Sequence, residues 1–314
     1  MPFIALIYLH YMNDILYKVK LYGTISAVFF LPYEKRKRIE RHIRGKEELR
    51  KLTQADWVLV SWAKSGRTWL RVMLSHYYQQ RFDIPSRHLL DFDNFKAMNN
   101  QAPAVFFTHG NYLKDYTGNR NNKKDFYRKK IVLLVRDPRD VAVSQYFQWK
   151  YRMSPRKKAL NDYPAHGSDI SMFEFVMNQD CGLLKVIDYF NGWVREKANI
   201  RELLLVKYED MRQHPEQAMA EILDFTGTPV SAQQVQETVE FAAYHNMKKH
   251  EEKQTIAVNL GRLGVKQKGN PDSSKVRRAK IGGYKDYFDD QQIQAINQLM
   301  QNQLSPKLGY TVVE

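Results

Sequence analysis

Cysteine is almost missing. Cys181 is the single one in 314 residues, so an intramolecular disulfide and a cysteine-rich metal site are both excluded. It lies in a helical pattern beside Leu184 and Ile187, where a buried structural thiol is expected rather than a nucleophile; this fits a reducing compartment. Long apolar runs are also lacking. Segments 2–9 and 25–33 are apolar, but Asp14, Lys18 and Lys20 interrupt them, and no run reaches the ~18 residues of a spanning helix. A basic leader and a small-residue cleavage site are not evident, which argues against a secretory signal. There is no internal repeat and no low-complexity tract. The nucleoside-triphosphate loop G-x-x-x-x-G-K-[ST] does not occur, and no His/Asp/Glu cluster suggests a metal.

Positive charge is in excess. The 49 basic and 34 acidic residues leave a formal charge of +15 and a pI near 9.6, a balance that draws anions. Nucleic acid, an acidic membrane and a phosphorylated small molecule all remain open on charge alone. A hydrophobic content of 43% with 13% aromatics excludes a disordered chain. Near the N-terminus, the apolar stretch runs into Glu34-Lys35-Arg36-Lys37-Arg38. That cluster suits anionic headgroups, or the segment packs on the main domain.

Short β-rich runs at 57–62, 104–107, 130–135 and 203–206 alternate with helical patterns. One helix begins near Thr68, another carries Val141, Gln145, Tyr146 and Trp149, and a third spans 172–195. Pro215 opens a further helix that Gly227 stops. Strands alternating with helices predict an α/β single domain with a central parallel sheet flanked by helices. Residues 1–50 read as an N-terminal extension and 51–314 as the domain. Segments 118–130 and 150–168 read as polar loops. The Gly-rich 259–283, with seven Lys or Arg, reads as a mobile lid over an anion or as a plain loop.

Residues 61–69, Ser-Trp-Ala-Lys-Ser-Gly-Arg-Thr-Trp, stand between a strand and a helix. Such a turn points backbone N–H groups and a helix N-terminus at one spot, which suits a phosphate. Lys64 precedes the only glycine, Gly66, so ordinary ATP hydrolysis is not its chemistry. A second strand-turn-helix runs through Val135-Arg136-Asp137-Pro138-Arg139-Asp140 to Ser144. Arg136 leaves the sheet at the same edge as Lys64, where its guanidinium can fork onto a phosphate.

Together these stretches resemble the sulfotransferase family, which implies a P-loop NTPase-like sulfotransferase fold. The Lys64 turn resembles that family's 5′-phosphosulfate loop, and Arg136 to Ser144 its 3′-phosphate motif. Leu205-Val206-Lys207-Tyr208-Glu209-Asp210-Met211 resembles its strand-end Tyr-Glu-Asp segment. Residues 276–285 resemble a diverged form of its basic-glycine motif, with Ala279 and Gly283 replacing the usual Gly and Asp. The resemblance, over about 55–290, implies 3′-phosphoadenosine 5′-phosphosulfate (PAPS) as co-substrate, 3′,5′-bisphosphoadenosine (PAP) as product, and no metal. It implies that Lys64, Ser65, Gly66, Arg67, Thr68 and Trp69 surround the 5′ end, and that Arg136, Ser144, Arg277 and Arg278 bind the 3′-phosphate. Trp69, Tyr208 and Tyr244 would meet the adenine. Arg67 stands where the family often has Thr, so an extra positive charge is expected at the sulfonate.

His109, after Val105-Phe106-Phe107-Thr108, matches the family's catalytic Thr-His, although Phe107 replaces a common Lys. The implied mechanism is in-line sulfuryl transfer to a hydroxyl or amine, with His109 as base. Lys64 stabilises the leaving phosphate, and Ser144 holds Lys64 aside until the acceptor arrives. The acceptor is expected to be small and aromatic or apolar, in a pocket drawn from Phe92, Phe95, Tyr112, Phe147, Trp149 and Tyr151. A cytoplasmic location is expected, peripheral at the membrane if the N-terminus attaches. A P-loop kinase-like phosphotransferase would need Gly-Lys-[ST] and an acidic Mg²⁺ site. A non-enzymatic binder of nucleic acid or membrane would rest on charge and the 19 tyrosines, and no recognised nucleic-acid fold signature accompanies them.

Overall fold

A computed structural model describes residues 2–85, 89–253, 267 and 269–310. Four strands, β1 (Trp57–Ser61), β2 (Val105–Thr108), β3 (Lys130–Val135) and β4 (Glu202–Lys207), form one sheet in the order β2-β1-β3-β4. All three pairings are parallel, with Val60 opposite both Thr108 and Leu133, and Val135 opposite Lys207. Each strand lies within a residue or two of its expected span.

The helices are α1 (Pro2–Ala27), α2 (Tyr33–Gln54), α3 (Arg67–Arg81), α4 (Asn94–Met98), α5 (Leu113–Thr117), α6 (Pro138–Tyr151) and α7 (Pro155–Leu160). They continue with α8 (Met172–Met177), α9 (Leu183–Arg195), α10 (Tyr208–Gln213), α11 (Pro215–Phe225), α12 (Ala232–Phe241), α13 (Tyr244–Lys253) and α14 (Asp290–Gln303).

Both sheet faces are covered, which is why β1 is buried at every position. Side chains alternate between faces. Trp57 and Leu59 pack with Leu74 of α3 and Ile222 of α11, whereas Val58 and Val60 pack with Phe190 and Trp193 of α9. A third cluster joins α6, α8, α9 and α14 around Trp149, Phe175 and Ile187.

Three expectations need correction. The pattern at 172–195 is two helices, because Gly182 sits where any Cβ would strike the Val176, Phe175 and Asn178 carbonyls. Asn178 Oδ1 accepts from the backbone of Asp180 and Cys181 in that turn. Cys181 is therefore buried beside α9 rather than within it, and burial pushes its thiol up to about 11. The loop at 150–168 contains α7, started by the Ser154 cap and Pro155. That at 118–130 contains a 3₁₀ turn, Lys124–Phe126. Of the expected lid, residues 259–266 and 268 lie outside the described residues.

Helices α1 and α2 form a hairpin, and α2 runs across residue 50 to lie on α5. Its seat is Gly45, where a Cβ would meet the Tyr112 carbonyl oxygen and come within 2.8 Å of the Tyr116 Cβ. No described helix is long and apolar enough to cross a membrane. Gly45→Ala should destabilise the fold by about 1–3 kcal/mol, despite alanine's better helix propensity. Urea unfolding tests this; unchanged stability would show that α2 is not tightly seated.

Candidate active site

Because the strands are parallel, their C-terminal ends share one edge, and one cavity of about 680 Å³ opens there. Lys64, Gly66, Arg67, Thr68, Trp69, His109, Arg136, Ser144, Tyr208, Tyr244, Arg277 and Arg278 all line it. Of the residues expected to hold PAPS or to act in catalysis, Ser65 alone is not on the wall; it lies fully buried beneath it. Its Oγ, like that of Ser61, has no hydrogen-bond partner among the described residues.

The turn after β1 needs unusual backbone. Lys64 has φ +75° and Gly66 φ +98°. At Gly66 a Cβ would also come within 2.5 Å of the Tyr208 ring, so glycine is required twice over. Tyr208 follows β4 directly, and the Arg136 guanidinium lies 4.5 Å from its ring centroid. Trp69 meets Tyr208 edge-on at 6.1 Å, while its Nε1 donates to the Ala242 carbonyl at 2.8 Å.

Lys64 forms no ion pair with a carboxylate among the described residues. Burial, then the cations Arg152, Arg136 and Arg277, lower its pKa to about 7, against a weaker pull from Glu251. A cluster of cations with so few counter-charges fits a ligand carrying several negative charges. No hydrogen bond joins Lys64 to Ser144, so the expected restraint of one by the other is not formed here.

Asp137 caps α6 by accepting from the Arg139 N–H at 2.9 Å, with Pro138 at the first helical position. Arg136 donates to the Lys64 carbonyl at 3.3 Å and pairs with Asp140 at 3.2 Å. Asp140 also accepts from the Gly282 and Tyr284 N–H groups, each at 3.0 Å. One buried carboxylate thus fastens the segment 282–284 to the Arg136 turn. Ala279 keeps left-handed backbone, φ +51°, without being glycine. Arg277 stacks 3.7 Å from the Phe147 ring centroid, and its carbonyl accepts from the Tyr244 hydroxyl at 3.0 Å. Arg278 pairs with Asp286 at 3.1 Å at the cavity rim.

His109 follows β2. Its Nδ1 lies 2.6 Å from the Ser61 carbonyl and its Nε2 2.7 Å from an Arg67 Nη. A carbonyl only accepts and a guanidinium only donates, so Nδ1 carries the proton and Nε2 the lone pair. Burial, then the Arg67 charge, push the imidazole down to about 3. The neutral form is therefore the resting state. Arg67, the extra charge of the turn, lines the cavity and meets His109 there.

The sulfotransferase domain family matches residues 54–308. The chain belongs to the sulfotransferase family. It is 22% identical to an amine sulfotransferase of Oryctolagus cuniculus, over 79% of this chain and 80% of that protein. It is 24% identical to a flavonol 3-sulfotransferase of Flaveria bidentis, over 82% of each. A mouse sulfotransferase, SULT7A1, solved with PAP shares its fold at TM-score 0.53 and 21% identity, covering 82% of this chain and 89% of that one. Retinol dehydratase solved with retinol and PAP does so at TM-score 0.53 and 19% identity, covering 83% of each.

The far wall of this sulfotransferase cavity differs from expectation. Tyr112 and Phe147 line it, but Phe92, Phe95 and Trp149 are buried in the core, and Tyr151 stacks behind Phe147. Their apolar neighbours take them inward; Trp62, Tyr189 and Trp193 supply the rings instead, among many polar side chains. Three supporting residues escaped the sequence reading. Glu251 accepts from the Lys275 N–H at 2.6 Å and the Val276 N–H at 2.9 Å. Arg152 donates to the Ser273 carbonyl. Glu48 accepts from the Tyr112 and Leu113 N–H groups at 3.1 and 2.8 Å, and burial pushes it up to about 7. None carries a local signal, since the partners lie 121 positions from Arg152, 64 from Glu48 and 24 from Glu251.

Lys64 should react with an amine-directed reagent with a midpoint near pH 7, well below that of ordinary lysines. Peptide mapping across pH reads this, and a midpoint above 9 would contradict the buried, cation-crowded setting.

Proposed function

We propose that the protein transfers a sulfuryl group from PAPS to a hydroxyl (or amine) of a small acceptor, with His109 as base. The observation that carries this is the meeting of Lys64, Arg136 and His109 around one cavity at the sheet edge. PAPS supplies the activated sulfuryl group and departs as PAP. The buried serine hydroxyls, the glycine cradle at Gly66 and the under-neutralised cations fit such a ligand.

Each residue then has a defined task. Lys64, with the loop N–H groups, holds the 5′ end; negative charge nearby favours its protonated form, which places a cation where charge develops on the leaving phosphate. Arg136, Ser144, Arg277 and Arg278 hold the 3′-phosphate, Arg136 being steadied by Asp140. Trp69, Tyr208 and Tyr244 offer rings to the adenine. His109 presents its Nε2 lone pair because Nδ1–H is committed to Ser61. It takes the acceptor's proton as the acceptor oxygen attacks in line, the S–O bond to the phosphate breaking as the new one forms. Arg67 covers that lone pair at rest and must move off it for the acceptor to enter.

A second reading concerns location. The tip of the α1–α2 hairpin exposes Phe29 and Phe30, at 73% and 70%, and exposed Lys35 and Arg38 follow. We infer peripheral attachment of this tip to an anionic bilayer at the cytoplasmic face, the rings entering the interface and the cations meeting headgroups.

His109→Ala should lower transfer by about 10²–10⁴-fold while PAP affinity, read by calorimetry, stays within twofold; retained turnover would remove His109 as base. Arg67→Thr takes a cation from the imidazole, so His109 gains basicity and the acid limb of the pH–rate profile moves to higher pH. An unmoved limb would separate Arg67 from the base. In sedimentation, vesicles containing phosphatidylglycerol should carry the protein down, and pure phosphatidylcholine much less. Phe29→Ser with Phe30→Ser should abolish this binding, and equal binding by the variant would exclude the tip.

A further inference from the structure

We propose that the acceptor is an acidic saccharide, held by Lys114 and Lys123 on the wall of the cavity beyond His109. This deepens the sulfotransferase reading and rests on it. That part of the cavity is bounded by the segment from Gly110 to Phe126, by α9, and by the segment running from Gln148 to Tyr163.

Most charges there are already answered. Arg41 pairs with Asp162 at 2.6 Å and Arg120 with Asp115 at 3.0 Å. Lys185 donates to the Asp180 carbonyl at 2.5 Å. Lys114 and Lys123 also line the cavity, and neither forms an ion pair with a carboxylate among the described residues. Lys123 stands over two aromatic faces, its Nζ 5.1 Å from the Trp193 ring centroid and 5.8 Å from that of Tyr189. Burial and then the Lys114 charge lower its pKa to about 8. Two cations on one cavity wall, Lys123 half-buried and Lys114 exposed, leave a place for a bound anion.

The remaining chemistry of the wall says what bears that anion. Asn119 gives its amide N–H to Asp125, and Asn122 gives its carbonyl to the Lys124 N–H. The carbonyl of the first and the amide N–H₂ of the second remain for hydroxyl groups. Trp62, Tyr189 and Trp193 provide rings against which the C–H face of a pyranose can lie. A planar phenol or a steroid offers no anion to the half-buried Lys123 and no hydroxyls to the half-buried Asn119 and Asn122, at the cost that desolvated polar groups incur when unpaired, while exposed Lys114 stays hydrated. A sugar carrying a carboxylate or a phosphate satisfies all of them. Its hydroxyl oxygen forms the new O–S bond, the proton passes to His109, and PAP leaves.

The experiment compares labelled-sulfuryl transfer from PAPS to four acceptors: 2-naphthol, chitotetraose, a glucuronate-containing tetrasaccharide and a 6-phosphorylated tetrasaccharide. One or both acidic saccharides should be favoured in kcat/KM over the neutral two by about tenfold or more, and which of the two leads identifies the anion. The double variant Lys114→Gln/Lys123→Gln should raise KM for the favoured acidic saccharide about tenfold, leaving kcat, neutral-acceptor turnover and PAP affinity within twofold. Preference for a neutral acceptor, or an unchanged KM in a variant that still binds PAP, overturns the proposal while the sulfotransferase reading stands. Failure of the unmutated protein to bind PAP overturns both.

Discussion

Everything at the site depends on the parallel pairing of β1 with its two neighbours. Parallel strands end at one edge, so the residue following each strand enters the same space whatever its distance in sequence. Trp62 to Gly66 follows β1, His109 follows β2, Arg136 follows β3 and Tyr208 follows β4. The registers set heights as well as neighbours: Val60 lies opposite Thr108 and Leu133. That is how the Ser61 carbonyl comes to hold the His109 ring and the Lys64 carbonyl comes to accept from Arg136.

The second constraint is electrostatic. Lys64, Arg136, Arg152 and Arg277 crowd one cavity; Asp272 pairs with Arg277 at 3.6 Å, and among the described residues Asp140 and Glu251 stand close to the others. Folding tolerates the crowding because these carboxylates do two things at once. Asp140 pairs with Arg136 while fixing Gly282 and Tyr284; Glu251 fixes Lys275 and Val276. Burial first, and then the repulsion left over, depress the basicity of Lys64, and an anionic ligand would relieve the second. Binding energy is thus prepared in the free protein rather than created on contact.

Strand positions were legible because buried parallel strands read as short unbroken apolar runs. Val58 to Val60 and Ile131 to Val135 leave no other assignment once Gly66 and Pro138 stop them. Lys64, Gly66 and Arg136 were legible because a strand-turn-helix places the residues just after each strand at one edge at fixed offsets. The long helix expected at 172–195 failed for an equally local reason, since apolar spacing continues across Gly182 although its backbone cannot. Phe92, Phe95 and Trp149 show a limit of composition: an aromatic near a loop serves core and pocket alike until packing chooses.

By itself the sequence determined the alternation of strands and helices, the Lys64–Gly66 turn and the histidine at a strand end, because each is carried by residues adjacent in the chain. The tertiary structure alone decided which charges meet. Arg67 on His109, Asp140 on the basic-glycine segment, Glu48 under the turn before α5 and Lys123 over the rings of α9 all join separate elements. Their pairing follows from sheet order and helix seating, which no local pattern encodes.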